Sequence, residues 1–174
     1  MDGRRIFLIG FMGAGKSHYG RPLAELLGCP FIDLDERIEQ RAAATIAAIF
    51  AHHGEDHFRQ LERAVLESLL PLPSFVMATG GGTPCYGDTI DMLNAAGTTV
   101  FLDVPVADLV HRLRQASAHR PLLAGREDLY SSIEQRLAER RSCYERAHLH
   151  LHLDNQTTDA ARLIHHRLLH HHVR

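Results

Sequence analysis

The sequence predicts a three-layer α/β/α fold, in which a central parallel sheet lies between layers of helices. Three observations support this prediction. The chain has 174 residues, 45% hydrophobic and 23% charged, which suits a single folded domain over residues 1–174. Short apolar runs of the kind that form buried parallel strands recur along the chain. Segments with helical spacing separate these runs, and that alternation is typical of strand–helix–strand units.

Five segments are predicted to be the strands of the sheet. Four are continuous apolar runs, at Ile6–Ile9, Phe31–Ile32, Phe75–Ala78 and Val100–Leu102. The fifth alternates Leu149, Leu151 and Leu153 with histidines, which predicts a last strand with one solvent-facing side. Helices are predicted between and after the strands, in the Ala-rich stretch 38–50, at 58–69 before Pro71, around 109–113, over 133–144 and at 160–169.

Charge and cysteine content exclude several classes of protein. A net charge of −2 and a pI near 6.7 argue against a protein that binds nucleic acid or an anionic membrane by bulk charge. The three cysteines form no C-x-x-C pair, so neither a disulfide framework nor a zinc site is indicated. The N-terminal apolar run is too short for a signal peptide or a spanning helix. We therefore expect a cytoplasmic protein, and we expect separately that it acts as a monomer.

Residues 10–17 carry the clearest chemical signal. They read G-F-M-G-A-G-K-S and match the phosphate-binding pattern G-x-x-x-x-G-K-[ST] between a predicted strand and a predicted helix. Such a loop turns backbone N–H groups and a helix N-terminus toward an anion. Lys16, the only lysine in the chain, can reach the β- and γ-phosphates of a nucleotide, and the Ser17 hydroxyl can bind Mg²⁺. Because Lys16 is the only lysine, an N-K-x-D guanine-binding motif is excluded.

Further motifs follow the predicted strands, at the sheet edge where α/β proteins bind ligands. Asp33 and Asp35 follow the second strand, and three glycines follow the third. F-R-x-x-E begins at Phe58, and R-P-L-L begins at Arg120 in a polar, lid-like segment. In this order, and over nearly the whole chain, the motifs resemble those of the shikimate kinases. The resemblance implies a P-loop kinase fold, a substrate-binding segment at about 33–62 and a lid at about 114–128.

The resemblance also implies substrates, a metal and residue roles. ATP would phosphorylate the 3-hydroxyl of shikimate with Mg²⁺ present; Asp35, Lys16 and Arg120 would be catalytic. The substrate would be bound by Asp35, Arg59, Gly80, Gly81, Gly82 and Arg140. The nucleotide would be bound by Gly13, Ala14, Gly15, Lys16, Ser17, His18, Arg112 and Arg120, and the metal by Ser17 and Asp33. His18 departs from the family, which usually has Ser or Thr there.

Alternatives remain open at this point. Asp35 could cap a helix, Arg59 could pair only with Glu62, and Arg140 could be confused with its neighbour Arg141. The whole chain could be another P-loop small-molecule kinase, for gluconate or a nucleoside monophosphate. It could also be a sensor that binds shikimate or a nucleotide without turnover.

Overall fold

The computed structural model describes residues 4–117, 126–157 and 159–171. Within these ranges the sheet has five parallel strands in the order β2-β3-β1-β4-β5. The strands are β1 (Arg5–Ile9), β2 (Phe31–Asp33), β3 (Phe75–Ala78), β4 (Thr98–Asp103) and β5 (Leu149–His152). All five predicted strands are therefore confirmed. In β5 the histidines His150 and His152 are exposed and Leu151 is buried, as the alternation predicts.

Helices connect the strands and cover the sheet, so the predicted three-layer α/β/α architecture is confirmed. The described helices are α1 (Lys16–Leu27), α2 (Leu34–Ala42), α3 (Ile46–Leu69), α4 (Thr89–Ala96), α5 (Val106–Ser117), α6 (Arg126–Tyr144) and α7 (Ala160–His171). Helix α1 packs against α7 and β3, and α5 packs against α6. Within the described ranges, no helix has both the length and the apolar character needed to cross a bilayer.

The buried core is centred on the middle strands. Every residue of β3 and the last four of β1 are buried, because both strands have neighbours on each side and helices on both faces. Phe7 and Phe75 meet edge to face, with ring centroids 5.4 Å apart. This packing fixes the strand ends, and the loops that follow β1, β2 and β3 therefore leave the sheet from a rigid base.

The expectation of one helical stretch over residues 38–50 is wrong. Helix α2 ends at Ala42, and Ala43 has a left-handed backbone with φ of 50°. Thr45 then caps α3 by accepting a hydrogen bond from the Ala48 amide, while the Glu39 carboxylate accepts one from the Ile46 amide. These side-chain bonds satisfy the free amides of a new helix start and so stabilise the break.

Helix α3 is longer than the predicted 58–69 and is interrupted at Gly54. This residue has φ of 78° and ψ of 178°, a conformation that is readily available only to glycine. A side-chain carbon at Gly54 would meet no atom within 4 Å, so the backbone angle and not the space requires glycine there. The segment that carries Arg59 therefore begins after this interruption. The short helix α4 had no clear signal in the apolar pattern.

Candidate active site

The phosphate-binding motif forms the loop between β1 and α1, as predicted. Its first glycine, Gly10, has φ of 138°, and a side-chain carbon there would lie 2.8 Å from the Leu102 carbonyl oxygen of β4. Neither the backbone angle nor the space admits another residue. Helix α1 begins at Lys16 directly after the loop, so its unpaired N-terminal amides face the same cleft.

Lys16 extends back over the loop. Its Nζ donates hydrogen bonds to the carbonyl oxygens of Gly10 and Phe11, at 2.8 and 2.9 Å. The pKa of Lys16 is lowered from 10.5 to about 8, mainly by burial; the carboxylates of Asp35 and Asp33 oppose this shift, and the positive charge of Arg140 adds to it. The lysine is thus a compact cation that lies close to the carboxylates after β2.

We expect nucleotide affinity to weaken as the pH rises through about 8. Nucleotide phosphates are anionic and bind the protonated ammonium, and Lys16 loses this proton with a pKa of about 8 in the free protein. Above that value the dissociation constant should rise by up to about tenfold per pH unit, the limit for loss of one proton. Calorimetric titration with a non-hydrolysable ATP analogue from pH 7 to 9.5 measures this effect.

The control for this titration is Lys16→Met, which should bind the analogue weakly and with little pH dependence above pH 7. A parent protein with equal dissociation constants at pH 7 and pH 9 would contradict the assignment of Lys16 to the phosphates.

The two aspartates after β2 have different surroundings. Asp33 accepts hydrogen bonds from the Ser17 hydroxyl at 2.6 Å and from the Asp35 amide at 3.1 Å, and it is the N-cap of α2. Asp35 lies in the first turn of that helix, so capping is the role of Asp33 and not of Asp35. Burial raises the pKa of Asp35, and the negative charges of Asp33 and Glu62 raise it further, while Lys16 opposes the shift. A carboxylate with a raised pKa is a stronger proton acceptor.

Arg59 is held by two carboxylates of α3. Its guanidinium donates to Glu62 at 2.7 Å and to Glu55 at 3.2 Å, and only 12% of its side chain is exposed. Glu62 is also buried and accepts a hydrogen bond from the Thr83 hydroxyl at 2.5 Å. The i,i+3 pairing therefore orients Arg59 rather than competing with a ligand role. The F-R-x-x-E motif predicted the contact of Arg59 with Glu62, but no feature of the sequence predicted the contact of Glu62 with Thr83.

The glycines after β3 lie among the predicted substrate residues. A side-chain carbon added at Gly80 would lie 3.2 Å from a carboxylate oxygen of Asp35. One added at Gly81 would lie 3.7 Å from the Arg140 guanidinium, and one added at Gly82 would lie 2.8 Å from the Arg59 guanidinium. The three glycines thus bring their backbone next to both arginines and to Asp35, and a larger residue at Gly82 would displace the Arg59 side chain.

The neighbouring residues Arg140 and Arg141 on α6 contact different parts of the protein. Arg140 lies with its guanidinium carbon 5.6 Å from the centre of the Phe11 ring, next to the phosphate loop. Arg141 instead pairs with Asp103 at 2.9 Å and with Glu145 at 3.2 Å. Of the two arginines, Arg140 is therefore the one that lies next to the phosphate loop and to Gly81.

Arg112 of α5 joins the phosphate loop to the segment after β5. It donates to the carbonyl oxygens of Gly13 and Ala14 at 3.4 and 3.3 Å, and to the Asn155 side chain at 2.9 Å. This position, at the outer side of the loop, suits contact with the nucleoside of ATP. Arg120 and most of the expected lid lie outside the described residues.

One cleft of about 350 Å³ is lined by nine of the predicted site residues, and its lining does not include Ala14, Arg59, Gly82, Arg112 or Arg140. It is lined by Met12, Gly13, Gly15, Lys16, Ser17, His18, Asp33, Asp35, Thr79, Gly80 and Gly81. Met12 and Thr79 are additions that the sequence analysis missed, because both occupy variable positions of their motifs. Phosphate-binding amides, a cation, two carboxylates and a glycine-rich wall thus surround one space.

The fold and this cleft define a nucleotide-dependent kinase of the P-loop class. A family model described as shikimate kinase matches residues 12–169. The chain belongs to the shikimate kinase family.

Individual relatives agree over nearly the whole chain. A shikimate kinase of Parabacteroides distasonis is 40% identical over 159 residues, which are 90% of this chain and 92% of the relative. The crystal structure of a shikimate kinase from Bacteroides thetaiotaomicron superimposes with a TM-score of 0.86 at 38% identity, covering 96% of this chain and 98% of that one. A shikimate kinase from Acinetobacter baumannii in complex with shikimate gives a TM-score of 0.87 at 35% identity, covering 98% and 96%.

Proposed function

We propose that this cleft transfers the γ-phosphoryl group of ATP to the 3-hydroxyl of shikimate. Membership of the shikimate kinase family supports this reaction. The observation that carries the residue roles is that Lys16 and Asp35 line one cleft beside Gly80 and Gly81. Phosphoryl transfer depends mainly on positioning and on electrostatic stabilisation, and a cation next to a proton-accepting carboxylate supplies both.

The nucleotide side of the cleft is the phosphate loop. The backbone of Gly13–Gly15 and the start of α1 bind the phosphates, and the Lys16 ammonium stabilises the charge on the β- and γ-phosphates. His18 lines the cleft one residue beyond Ser17, where its backbone amide contributes to the same site. Arg112 contacts the adenosine, and Arg120 stabilises charge on the transferring phosphoryl group.

The acceptor side pairs a carboxylate with two guanidinium groups. Shikimate carries one carboxylate and three hydroxyls, and a guanidinium binds a carboxylate through two parallel hydrogen bonds. Arg59 and Arg140 bind that carboxylate, and the amides of Gly80–Gly82 contribute hydrogen bonds to the substrate. Asp35 orients the attacking hydroxyl and accepts its proton.

Ser17 and Asp33 suit a magnesium ion. Both present oxygen atoms, which Mg²⁺ prefers, and these oxygens are 2.6 Å apart at the floor of the cleft. Mg²⁺ is commonly held by one or two protein groups together with substrate phosphates and water, so a larger cage of ligands is not needed. When bound there with ATP, the ion would neutralise phosphate charge.

An ADP-release assay with shikimate, gluconate, AMP and water as parallel acceptors tests the reaction. We expect turnover with shikimate alone. Turnover with another acceptor in place of shikimate would refute the proposal. Shikimate binding by calorimetry without ADP release would instead indicate the non-catalytic sensor.

Replacing Arg59 with alanine should raise the shikimate KM by about 10- to 100-fold, the range for losing hydrogen bonds to a charged group. The ATP KM should stay within about twofold, because Arg59 lies beside Gly82 and not beside the phosphate loop. The variant should also unfold more easily, by on the order of 3 kcal/mol, because buried Glu62 loses its cation.

The matched control is Arg63→Ala, one turn further along α3. Arg63 also pairs with two carboxylates, those of Glu67 and Asp88, but at the surface. This variant should keep both KM values. An equal rise in the KM for ATP and for shikimate in Arg59→Ala would argue against a specific substrate contact.

We propose further that one chain acts alone in the cytoplasm. The three cysteines form no C-x-x-C pair, which favours a reducing compartment over a disulfide framework. Light scattering coupled to size-exclusion chromatography tests the monomer.

A further inference from the structure

We propose that the Tyr144 hydroxyl is a positioning group for the acceptor site, a role that rests on the proposed function above. Tyr144 ends α6, one turn after Arg140, and is fully buried. Its hydroxyl donates a hydrogen bond of 2.5 Å to the carbonyl oxygen of Gly81. One side chain thus connects the helix of Arg140 to the glycine wall of the cleft.

The hydrogen bond sets the orientation of one peptide plane. The peptide bond between Gly81 and Gly82 is trans, as are all peptide bonds of the described residues, so the Gly81 carbonyl and the Gly82 N–H point in opposite directions. Because Tyr144 holds the carbonyl on its own side of the plane, the Gly82 N–H is directed away from Tyr144, and the guanidinium of Arg59 lies next to Gly82. Among the described residues, no backbone carbonyl accepts a hydrogen bond from this N–H, so it is available to a bound ligand.

The surroundings of Tyr144 make the hydroxyl a fixed and permanent donor. The ring stacks on Phe101 of β4, with centroids 5.1 Å apart and planes at 29°, which leaves little freedom to turn. Burial raises the pKa of Tyr144 and the neighbouring Cys85 adds to that rise, while the positive charge of Arg140 and a hydrogen bond from its guanidinium partly oppose it. The hydroxyl therefore keeps its proton across the working pH range.

Glycine residues offer little resistance to rotation of this peptide plane. Gly81 and Gly82 both lack side chains, so nothing but hydrogen bonding and packing selects one orientation of the plane between them. Without the hydroxyl, the carbonyl can rotate toward the cleft, where it would meet the substrate carboxylate with the wrong sign of charge. The loss should thus weaken acceptor binding while leaving the phosphate loop unchanged.

Tyr144→Phe tests this role, because phenylalanine keeps the ring and removes only the hydroxyl. We expect the shikimate KM and the calorimetric shikimate Kd to rise by about 5- to 10-fold, on the order of the loss of one hydrogen bond. The ATP KM and kcat should stay within about twofold. The matched control is Tyr130→Phe on the same helix, whose side chain is largely exposed. It should keep every parameter.

A purely structural tyrosine would give a different result. Its loss would lower the melting temperature and leave the shikimate KM unchanged, or raise the KM for both substrates equally, and either outcome would overturn the inference. A parent protein that releases no ADP with shikimate would refute the proposed function itself, and the inference would fall with it. If the parent protein is active and Tyr144→Phe keeps the parent's shikimate KM, the inference is refuted but the proposed function is not.

Discussion

Asp35→Asn should lower kcat by about 10²- to 10⁴-fold while the protein still binds ATP with a Kd within about twofold of the parent. General base catalysis contributes a factor of this size, and asparagine keeps the shape of aspartate without accepting a proton. Lys16 and the loop amides, which bind the nucleotide, are not altered. Single-turnover kinetics and calorimetry with an ATP analogue separate the two effects.

The pH profile gives an independent readout of Asp35. Because the pKa of Asp35 is raised, the parent's kcat should fall at a pH above the ordinary aspartate value as the carboxylate becomes protonated. This acid limb should disappear in Asp35→Asn. The matched control is Glu36→Gln, whose exposed carboxylate pairs with Arg21 on the surface and whose loss should leave kcat unchanged. An Asp35→Asn variant with the parent's kcat would exclude Asp35 as the base.

The same substitution should not destabilise the fold. Burial and like charges disfavour the ionised form of Asp35, so its folded-state pKa lies above its unfolded value and ionisation costs stability above that pKa. Neutral asparagine removes this cost at pH 7. A melting temperature equal to or above that of the parent would show that the loss of turnover is not caused by unfolding.

Lys16→Met should lower kcat/KM by at least about 10²- to 10³-fold, the usual cost of removing one group that stabilises transition-state charge. The chain has no second lysine, and methionine matches the length of the side chain without its charge. With a pKa of about 8, the ammonium is mostly protonated at pH 7, so the substitution removes a positive charge there. Turnover at the parent's rate would contradict the proposed mechanism.

A chemical experiment on the unmodified protein checks this result. Acetylation of lysine can reach only Lys16, and ATP should protect it from the reagent. Mass spectrometry of the peptide that contains residue 16 measures the extent of modification, and this extent should follow the loss of activity. Modification without loss of activity would again exclude the lysine.

The order of the five strands and of most helices could be predicted, because apolar runs mark the strands and helical apolar spacing marks those helices, whereas α4 has no such signal. The break at Ala43 could not, since alanine favours helices and the left-handed turn there depends on Glu39 and Thr45 bonding to amides further along. Intrinsic propensity is a weak prior, and tertiary context overrides it in this connection.

The location of the candidate site could be predicted from those motif residues that directly follow a strand. Residues 10–17, Asp33 and Asp35 all follow strands and meet at one sheet edge, as the spacing indicates. The hydrogen bonds between Thr83 and Glu62 and between Tyr144 and Gly81 were not predictable, because the two residues of each pair are 21 and 63 positions apart in the sequence. Side-chain direction, which separates Arg140 from Arg141, is also absent from the sequence pattern.

The interruption at Gly54 divides α3 into two helical segments, residues 46–53 and 55–69, joined by one residue that does not continue the helical backbone. The second segment carries Arg59 together with the buried residues Phe58, Glu62 and Val65. Phe50 of the first segment packs on Phe58 across this joint, with ring centroids 4.5 Å apart. The joint therefore lets each segment take its own direction, while this aromatic contact keeps the first segment against the one that carries the guanidinium.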